Sequence, residues 1–174
     1  MSFKFKNKSC LIVIDIQNSY KDKIFDYEDF RKNIIKLLRK ARKENIPICF
    51  VFEIDNENSH WIPFWEEMKG PRELDKGIPL KFCKPKENDF VFFKNGYDSF
   101  FETGLNNFLK DKGFETLYVS GVLTGVCVLN TVFSAFNNGF RIHLLENCCS
   151  DIKKTRHNFV LNNYSNYLFI KDSI

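Results

Sequence analysis

Three side chains that can act together chemically each stand at or just past the end of a short apolar run: Asp15, Lys94 and Cys127. A thiolate is a strong nucleophile, and a neighbouring carboxylate can take the thiol proton and later return it to a leaving group. An ammonium group nearby favours the charged forms of both. An acid, a lysine and a cysteine together therefore predict acyl transfer through a covalent thioester.

Each of these residues also has an ordinary structural explanation. Cysteine is among the most buried residue types, an aspartate often closes a turn, and most lysines are exposed charges. For Asp15 and Lys94 taken singly these explanations are favoured, but three reactive groups at three strand ends favour a shared site. For Cys127 the functional interpretation is favoured, because the residue lies between a strand and a helix and the two other reactive residues lie at strand ends. The remaining cysteines are predicted to be reduced core residues, and no CxxC pair for zinc occurs among them: Cys10, Cys49, Cys83, Cys148 and Cys149.

The turn before Cys127 predicts where its thiol lies. Gly121 follows the apolar run Leu117–Ser120. The apolar spacing of Leu129–Asn138 is typical of a helix that ends at Gly139. Cys127 would then lie at the N-terminus of a helix, where free N–H groups and the helix dipole favour an anion. We therefore expect the pKa of this thiol to be lowered.

Strand and helix patterns alternate along the chain. Short apolar runs predict six strands, and helical spacing predicts about four helices among them. Such alternation is typical of an α/β fold, in which a mostly parallel sheet lies between helical layers and ligands bind at the carboxyl ends of the strands. Residues 1–174 are expected to form a single domain of three layers, α/β/α. The predicted strands are 10–15, 47–53, 90–94, 115–120, 140–145 and 167–170, and the predicted helices are 26–44, 103–113, 129–138 and 152–163.

Residues 54–88 lack a clear period, because Asn, Pro, Gly and charged residues are scattered among aromatic ones. A connection of this length in a compact domain is usually functional, such as a lid or a binding loop. Trp61, Phe64 and Trp65 fit two interpretations equally well, the apolar wall of a pocket or a covered surface in the core or a subunit interface.

The overall composition narrows the function classes. Of 174 residues, 44% are hydrophobic and 28% are charged, as in folded proteins rather than disordered ones. The 26 basic and 22 acidic residues are interspersed, so the net charge of +4 builds no basic face for nucleic acid. No apolar run approaches the roughly 20 residues that span a bilayer, and residues 1–6 lack the apolar core of a signal peptide. A cytoplasmic protein without a membrane partner is expected.

Three blocks of sequence carry a resemblance that covers nearly the whole chain. The first is Ile12–Gln17 with its Asp-x-Gln, the second begins at Lys94, and the third is Gly121–Val128. Further matches follow the second and third blocks at Tyr97, Phe100, Thr103, Leu105, Thr131, Ala135 and Gly139. In these blocks the chain resembles the isochorismatase-like cysteine hydrolases, a Rossmann-like family that includes nicotinamidases, N-carbamoyl amidases and isochorismatases.

The resemblance implies a role for each reactive residue. Asp15 is expected to accept the proton, Lys94 to stabilise the charged site, and Cys127 to attack a carbonyl and give a thioester that water hydrolyses. A cis peptide between Val122 and Leu123 is expected to direct the Leu123 N–H, with the Cys127 N–H, at the developing oxyanion. The expected substrate is a small molecule with an amide or related C–N bond. Candidate substrate contacts are Gln17, Trp61, Trp65 and Tyr97.

Departures from the family pattern limit what can be carried over. Nicotinamidases hold a metal with an Asp-x-His…His…His pattern after the second strand, whereas this chain offers Glu53, Asp55 and His60 there. Because this set is a weak metal site, no metal and no other cofactor is expected. Asp98 replaces a usual serine and Gly125 a common polar residue, so substrate contacts are expected to differ. Most relatives self-associate, which predicts a homo-oligomer, either a dimer or a tetramer.

Other functions stay open at the level of the residues. An isochorismatase-type enol-ether hydrolase would use Asp15 as the acid without needing Cys127, and a nicotinamidase would rely on the metal. A thiol-dependent redox protein is less favoured because Cys127 has no CxxC partner. A non-catalytic binding protein of the same fold is disfavoured because Asp15, Lys94 and Cys127 are all present.

Overall fold

Six strands form one central sheet, and every pairing between them is parallel. The structure, a computed structural model, describes residues 3–56, 59, 61–70 and 74–174. The strands are β1 (Ser9–Ile14), β2 (Ile48–Glu53), β3 (Phe90–Lys94), β4 (Thr116–Val122), β5 (Arg141–Ser150) and β6 (Ile170–Asp172). Their order across the sheet is β3-β2-β1-β4-β5-β6. The predicted parallel α/β sheet is confirmed.

Helices cover both faces of the sheet, as the alternating pattern predicts. They are α1 (Tyr27–Lys43), α2 (Ile62–Lys69), α3 (Leu105–Asp111), α4 (Leu129–Asn137) and α5 (Lys154–Tyr164). Helix α1 and the short 3-10 turn at Lys81–Cys83 pack on one face, and α3, α4 and α5 pack on the other. The result is the three-layer α/β/α arrangement.

Strands β1, β2 and β4 are buried on both faces, which is why they read as unbroken apolar runs. Within β1, Leu11 and Val13 belong to the core under α1, whereas Cys10, Ile12 and Ile14 belong to the core under α3, α4 and α5. All five are fully buried. Burying a side chain of this size contributes about 1.5–3 kcal/mol, so β1 anchors both cores at once.

Helix α1 shows how the sequence fixes the outer layers. Phe30, Ile34 and Leu37 recur at helical spacing and are buried against the sheet. Acidic residues lie in the first turn and basic residues in the last, the arrangement that a helix dipole favours. Residues 26–44 were predicted to be helical, and the observed bounds differ by one residue at each end.

The chain reverses its direction across the sheet between β1 and β4. Strands β2 and β3 lie to one side of β1, and β4, β5 and β6 lie to the other. At such a point the connections after neighbouring strands diverge, which leaves a crevice at the carboxyl ends where α/β proteins bind ligands. The sheet order therefore places a crevice beside the residues that follow β1 and β4.

Two predicted features differ in detail. The last strand was predicted at 167–170 but lies at Ile170–Asp172, because residues 165–169 turn: Asn166 has a left-handed φ of 68°, and the Leu168 N–H bonds to Tyr164 O at 3.0 Å. Residues 54–88 contain α2, which sequence periodicity did not reveal. No described helix combines the length and apolarity that a bilayer span requires.

Candidate active site

Four reactive side chains lie at or just past the carboxyl ends of four neighbouring strands of the sheet. Lys94 ends β3, Glu53 ends β2, Asp15 directly follows β1, and Cys127 lies in the turn after β4. All four residues are at most 3% exposed. The predicted trio of acid, lysine and thiol is therefore brought together, with one more carboxylate among them.

Asp15 is held rigidly at the end of β1. Its backbone has a left-handed φ of 50°, a strained conformation for a residue with a side chain. One carboxylate oxygen, Oδ1, accepts a hydrogen bond from the Glu53 N–H at 2.9 Å. The other, Oδ2, lies 2.9 Å from Lys94 Nζ, and neither side chain of this ion pair is exposed. A buried charge is tolerated in this way only when it is paired.

The Lys94 ammonium lies between the carboxylate and the thiol. Besides Asp15 Oδ2, Nζ is 2.6 Å from the carbonyl oxygen of Gly96 and 3.6 Å from Cys127 Sγ. An ammonium has three N–H donors, and these three neighbours account for them. Lys94 therefore connects the acid to the nucleophile and fixes the positive charge beside both.

Cys127 lies in a π-type turn, Thr124–Val128, that runs directly into α4. The turn is closed by the Leu123 carbonyl, which accepts the N–H groups of Val126 at 3.0 Å and Val128 at 3.2 Å. The peptide bond between Val122 and Leu123 is cis, at the position where the sequence resemblance places it. Sulfur and carboxylate oxygens of Cys127, Asp15 and Glu53 all lie within 4.8 Å of one another.

Gly121 allows β4 to approach β1 at this site. Its φ is +134°, and a Cβ atom built on it would lie 2.1 Å from the carbonyl oxygen of Ile14. Real Cβ atoms do not approach a main-chain oxygen so closely, so no other residue fits without moving a strand. The close approach sets the distance between the residues that follow the two strands, Asp15 and the cysteine turn.

Burial gives the Cys127 thiol the opposite pKa shift from the one predicted from its helix position. Burial raises the pKa of Cys127 well above its ordinary value, and the negative charge of Asp15 raises it further, while Lys94 opposes both effects. Burial disfavours the charged form of the thiol, and so does a neighbouring negative charge. The unliganded site therefore holds a neutral thiol.

The other two charges shift for different reasons. Burial raises the pKa of the Asp15 carboxyl, and the charge of Lys94 only partly offsets this rise. Burial alone would lower the pKa of Lys94, but the negative charge of Asp15, with a smaller contribution from Glu53, raises it. Asp15 is therefore a stronger base than a surface aspartate, and Lys94 stays protonated.

Glu53 is the residue whose role in the site the sequence did not reveal. Its carboxylate accepts a hydrogen bond from the Tyr20 hydroxyl at 3.0 Å, and its main-chain N–H bonds both Asp15 and Gln17. Burial and the surrounding negative charges raise the pKa of Tyr20, which keeps this phenol neutral. The only signal in the sequence was an acid at the end of the second strand, which was interpreted as a weak metal ligand.

A cavity of about 620 Å³ opens above Cys127. Its lining residues come from the loop after β1, from α2 and its flanks, from the cysteine turn and from the start of α5: Ser19, Tyr20, Lys23, Trp65, Lys69, Asp75, Tyr97, Leu123, Val126, Cys127, Ile152 and Arg156. Its volume is in the range of pockets for small molecules. The cavity leads from the surface to the buried sulfur.

The predicted substrate contacts divide into two groups. Trp65 and Tyr97 line the cavity above Cys127. Trp61 instead lines a neighbouring pocket of about 310 Å³ with Tyr97, and its indole N–H donates to Asn95 Oδ1 at 3.0 Å. Gln17 is fully buried, and its amide bonds the N–H and C=O of Glu53 at 2.7 and 3.2 Å. Gln17 therefore holds the ends of β1 and β2 together and lines no wall of the cavity.

The three weak metal candidates do not converge among the described residues. Glu53 faces Asp15 and Cys127, while an oxygen of the Asp55 carboxylate accepts the main-chain N–H of Asp75 at 2.8 Å. His60 lies outside the described residues. The acidic pair that was considered for a nicotinamidase-type metal is thus engaged in two separate places.

Comparison with known proteins agrees with this geometry. The family model for the isochorismatase domain matches residues 9–170. The isochorismatase family protein YddQ of Bacillus subtilis is 31% identical over 147 residues, which cover 82% of this chain and 77% of that protein. The fold and its site define a three-layer α/β hydrolase. The chain belongs to the isochorismatase family.

Solved structures share the fold at lower sequence identity. The pyrazinamidase of Pyrococcus horikoshii, in complex with zinc, has a TM-score of 0.83 at 21% identity and covers 96% of this chain and 99% of its own. N-carbamoylsarcosine amidase from Thermoplasma acidophilum has a TM-score of 0.77 at 20% identity and covers 95% of each chain. These likenesses establish the fold alone.

Proposed function

We propose that this hydrolase cleaves a small amide or a related C–N bond through a thioester on Cys127. The observation that carries the proposal is the single cluster formed by the ammonium of Lys94, 2.9 Å from Asp15 and 3.6 Å from Cys127 Sγ, at the closed end of a cavity. Two fold neighbours are named as amidases, which supports the choice of a C–N bond. The chemistry is supplied by side chains, main-chain N–H groups and water, so we propose a reaction without a metal or other cofactor.

The first half of the proposed reaction forms the thioester. Asp15 takes the thiol proton as Cys127 Sγ attacks the carbonyl carbon, because the raised pKa of this carboxyl makes it a competent base beside a neutral thiol. The N–H groups of Leu123 and Cys127 stabilise the oxyanion, where one donor is typically worth about 3 kcal/mol. The C–N bond then breaks, and Asp15 returns the proton to the departing nitrogen.

The second half regenerates the enzyme. Asp15, again a carboxylate, takes a proton from a water molecule that attacks the thioester carbonyl. The C–S bond breaks, the acid product leaves, and the proton on Asp15 returns to the sulfur. Lys94 stays protonated throughout and stabilises each negative charge beside it. No proton is gained or lost by the site over the cycle.

The test is the pH dependence of Cys127 alkylation by iodoacetamide, followed by peptide mass spectrometry in the wild type, Asp15→Asn and Lys94→Met. Removing the negative charge of Asp15 should move the alkylation midpoint to lower pH, and removing the positive charge of Lys94 should move it to higher pH. Ammonia release from a panel of small amides should fall in both variants, since one lacks the base and the other the fixed charge.

Opposite shifts with a common loss of turnover are specific to a coupled trio. Equal midpoints in all three proteins would show that the side chains do not act on the thiol, and the catalytic assignment would be wrong. Turnover that survives Asp15→Asn would likewise remove Asp15 as the proton acceptor.

A further inference from the structure

Arg156 is fixed in the wall of the active-site cavity. It lies in the first turn of α5 and donates from Nε to Asp151 Oδ1 at 2.7 Å, with a second contact from Nη2 to the same oxygen. Its side chain is 42% exposed, whereas that of Asp151 is fully buried. Arginine carries five N–H donors, so this pairing leaves donors on Nη1 for another acceptor. Asp151 thus fixes the orientation of the guanidinium, and its remaining N–H donors are available on the side of the cavity that Arg156 lines.

Asp151 also ties Arg156 to the nucleophile turn. Its other oxygen, Oδ2, accepts the Gly125 N–H at 2.8 Å, and the Ile152 N–H donates to Oδ1 at 2.6 Å. Gly125 lies two residues before Cys127 within the same π-type turn. The position of the guanidinium is therefore set relative to the sulfur by one buried carboxylate.

Gly125 leaves room for the arginine stem. A Cβ atom at this position would lie 2.8 Å from Arg156 Cγ and 2.9 Å from Cδ. The sequence comparison singled out Gly125 because a polar residue is common there in the family. The missing side chain lets Arg156 lie across the turn, so Gly125 and Arg156 are parts of one arrangement.

Charge is distributed unevenly along the cavity. Lys23, Lys69 and Arg156 line the cavity together with Cys127, and among the described lining residues the only acid is Asp75. The Asp75 carboxylate is already engaged by the Ser19 hydroxyl and by the Gly77 N–H. Beside the sulfur, in contrast, two carboxylates, those of Asp15 and Glu53, lie with one ammonium, that of Lys94. A negative group on a ligand is therefore repelled by the carboxylates beside the sulfur and attracted by the basic side chains of the cavity wall.

We propose that Arg156 forms an anion-binding subsite in the cavity wall, and that the substrate is a small amide that also carries a carboxylate. This inference rests on the proposed function, because it assigns the orientation of the same substrate. The amide enters toward Cys127, the carbon body packs on Trp65, Tyr97 and Leu123, and the carboxylate meets the open side of the guanidinium. A planar guanidinium matches a carboxylate in geometry and charge.

A pair of thiol reagents tests the subsite without a known substrate. 3-Maleimidopropionate carries a carboxylate at the far end from its reactive double bond, and N-propylmaleimide is the neutral counterpart of similar size. The rate of Cys127 modification by each reagent is divided by its rate with free 2-mercaptoethanol. In the wild-type protein the anionic reagent should be favoured about tenfold at low salt, and less at high salt.

Variants then locate the effect. Arg156→Gln should remove the preference while leaving the rate with N-propylmaleimide within about twofold of wild type, and Arg156→Lys should keep part of it. Lys154→Gln is the matched control, because it removes one positive charge from the same helix at a side chain that pairs with Asp26 and does not line the cavity. It should keep the full preference.

Each other result has one meaning. Rapid modification by both reagents without an anionic preference would overturn the subsite while leaving the nucleophile in place. A fall with both reagents in Arg156→Gln would show that Arg156 only holds the turn, and the subsite would be rejected. Failure of Cys127 to react with either reagent in the wild type would instead contradict the proposed function, so the two failures are distinguishable.

Discussion

The strand ends and residues 54–88 contribute to the same cavity but are built in opposite ways. Asp15, Lys94 and Cys127 are buried, hydrogen-bonded to one another and fixed to parallel strands. In α2, only Ile62 is buried, and Phe64 and Met68 are 65% and 69% exposed. The reacting groups are therefore held by the core, whereas one wall of the cavity is held by few apolar contacts. This difference predicts that chemistry and substrate preference respond to separate sets of substitutions.

The largest effect is expected from Cys127→Ala, which removes the proposed nucleophile at the strand ends. Turnover of an amide substrate should fall by at least about 10⁴-fold, since residues that act as one unit lose most of their effect together. The control is Cys149→Ala, which removes another buried thiol at the same end of the sheet, paired in register with Gly121. It should keep its turnover. Comparable rates in Cys127→Ala would favour an enol-ether hydrolase that relies on Asp15.

Gly121→Ala tests whether the strand ends depend on core geometry. The added Cβ meets the Ile14 carbonyl oxygen, so the free energy of unfolding should fall by about 3 kcal/mol or more in a denaturant titration. Gly113→Ala is the matched control, because Gly113 also has a positive φ, +69°, but nothing lies within 4 Å of its added Cβ. It should cost only about 1 kcal/mol. Equal losses of unfolding free energy in the two variants would mean that the close approach of Gly121 to Ile14 does not contribute to stability.

The variants Glu53→Gln and Tyr20→Phe test whether the hydrogen bond between Tyr20 and Glu53 contributes to turnover. Each should lower kcat by about tenfold to 100-fold with little change in KM, because Tyr20→Phe removes the contact at 3.0 Å and Glu53→Gln removes the charge that strengthens it. The double variant should lose no more than the worse single one. Glu53→Gln should also move the alkylation midpoint of Cys127 to lower pH, since the charge of Glu53 raises the pKa of the thiol. Additive losses of kcat in the double variant would show that Glu53 and Tyr20 act independently.

Trp65→Ala should give the smallest effect and the clearest contrast with the strand ends. Losing an aromatic wall should raise KM by about tenfold and leave kcat within about threefold, because the ring lines the cavity and takes no part in the proposed reaction steps. Phe64→Ala, at the neighbouring exposed position, is the control and should change neither constant. A large fall in kcat for Trp65→Ala would show that the cavity wall also affects the reacting groups, so chemistry and substrate preference would not respond to separate substitutions.

The sequence predicted the parts of the molecule whose burial leaves a period in the chain. Strands β1, β2 and β4 were found because residues buried on both faces must be apolar throughout. Asp15, Lys94 and Cys127 were visible as exceptions at or just past the ends of apolar runs. The second half of β5 was missed because Asn147, Cys148 and Cys149 continue the strand without an apolar run. Helix α2 was missed because its short segment is barely amphipathic and mostly exposed.

The remaining site residues could not be predicted because their roles depend on contacts distant in sequence. Glu53 reads as any acid at a strand end until its carboxylate is placed beside Tyr20, 33 residues earlier in the chain. Arg156 reads as a surface residue of a helix until Asp151 is seen to join it to Gly125. The direction of the pKa shift of Cys127 was wrong because burial exceeds the effect of a helix N-terminus, and burial is a property of the packed structure.

The position of β3 at the edge of the sheet has a consequence for how the site comes apart. It pairs with β2 alone, and Val91 and Phe93 are 41% and 54% exposed on it. Edge elements with few buried contacts open locally at a lower free energy than the centre of a sheet. Amide hydrogens of β3 should therefore exchange faster than those of β1, and mild denaturant should displace Lys94 while the rest of the sheet persists. Activity would then be lost before the global unfolding transition, so catalysis reports on one edge strand rather than on the whole fold.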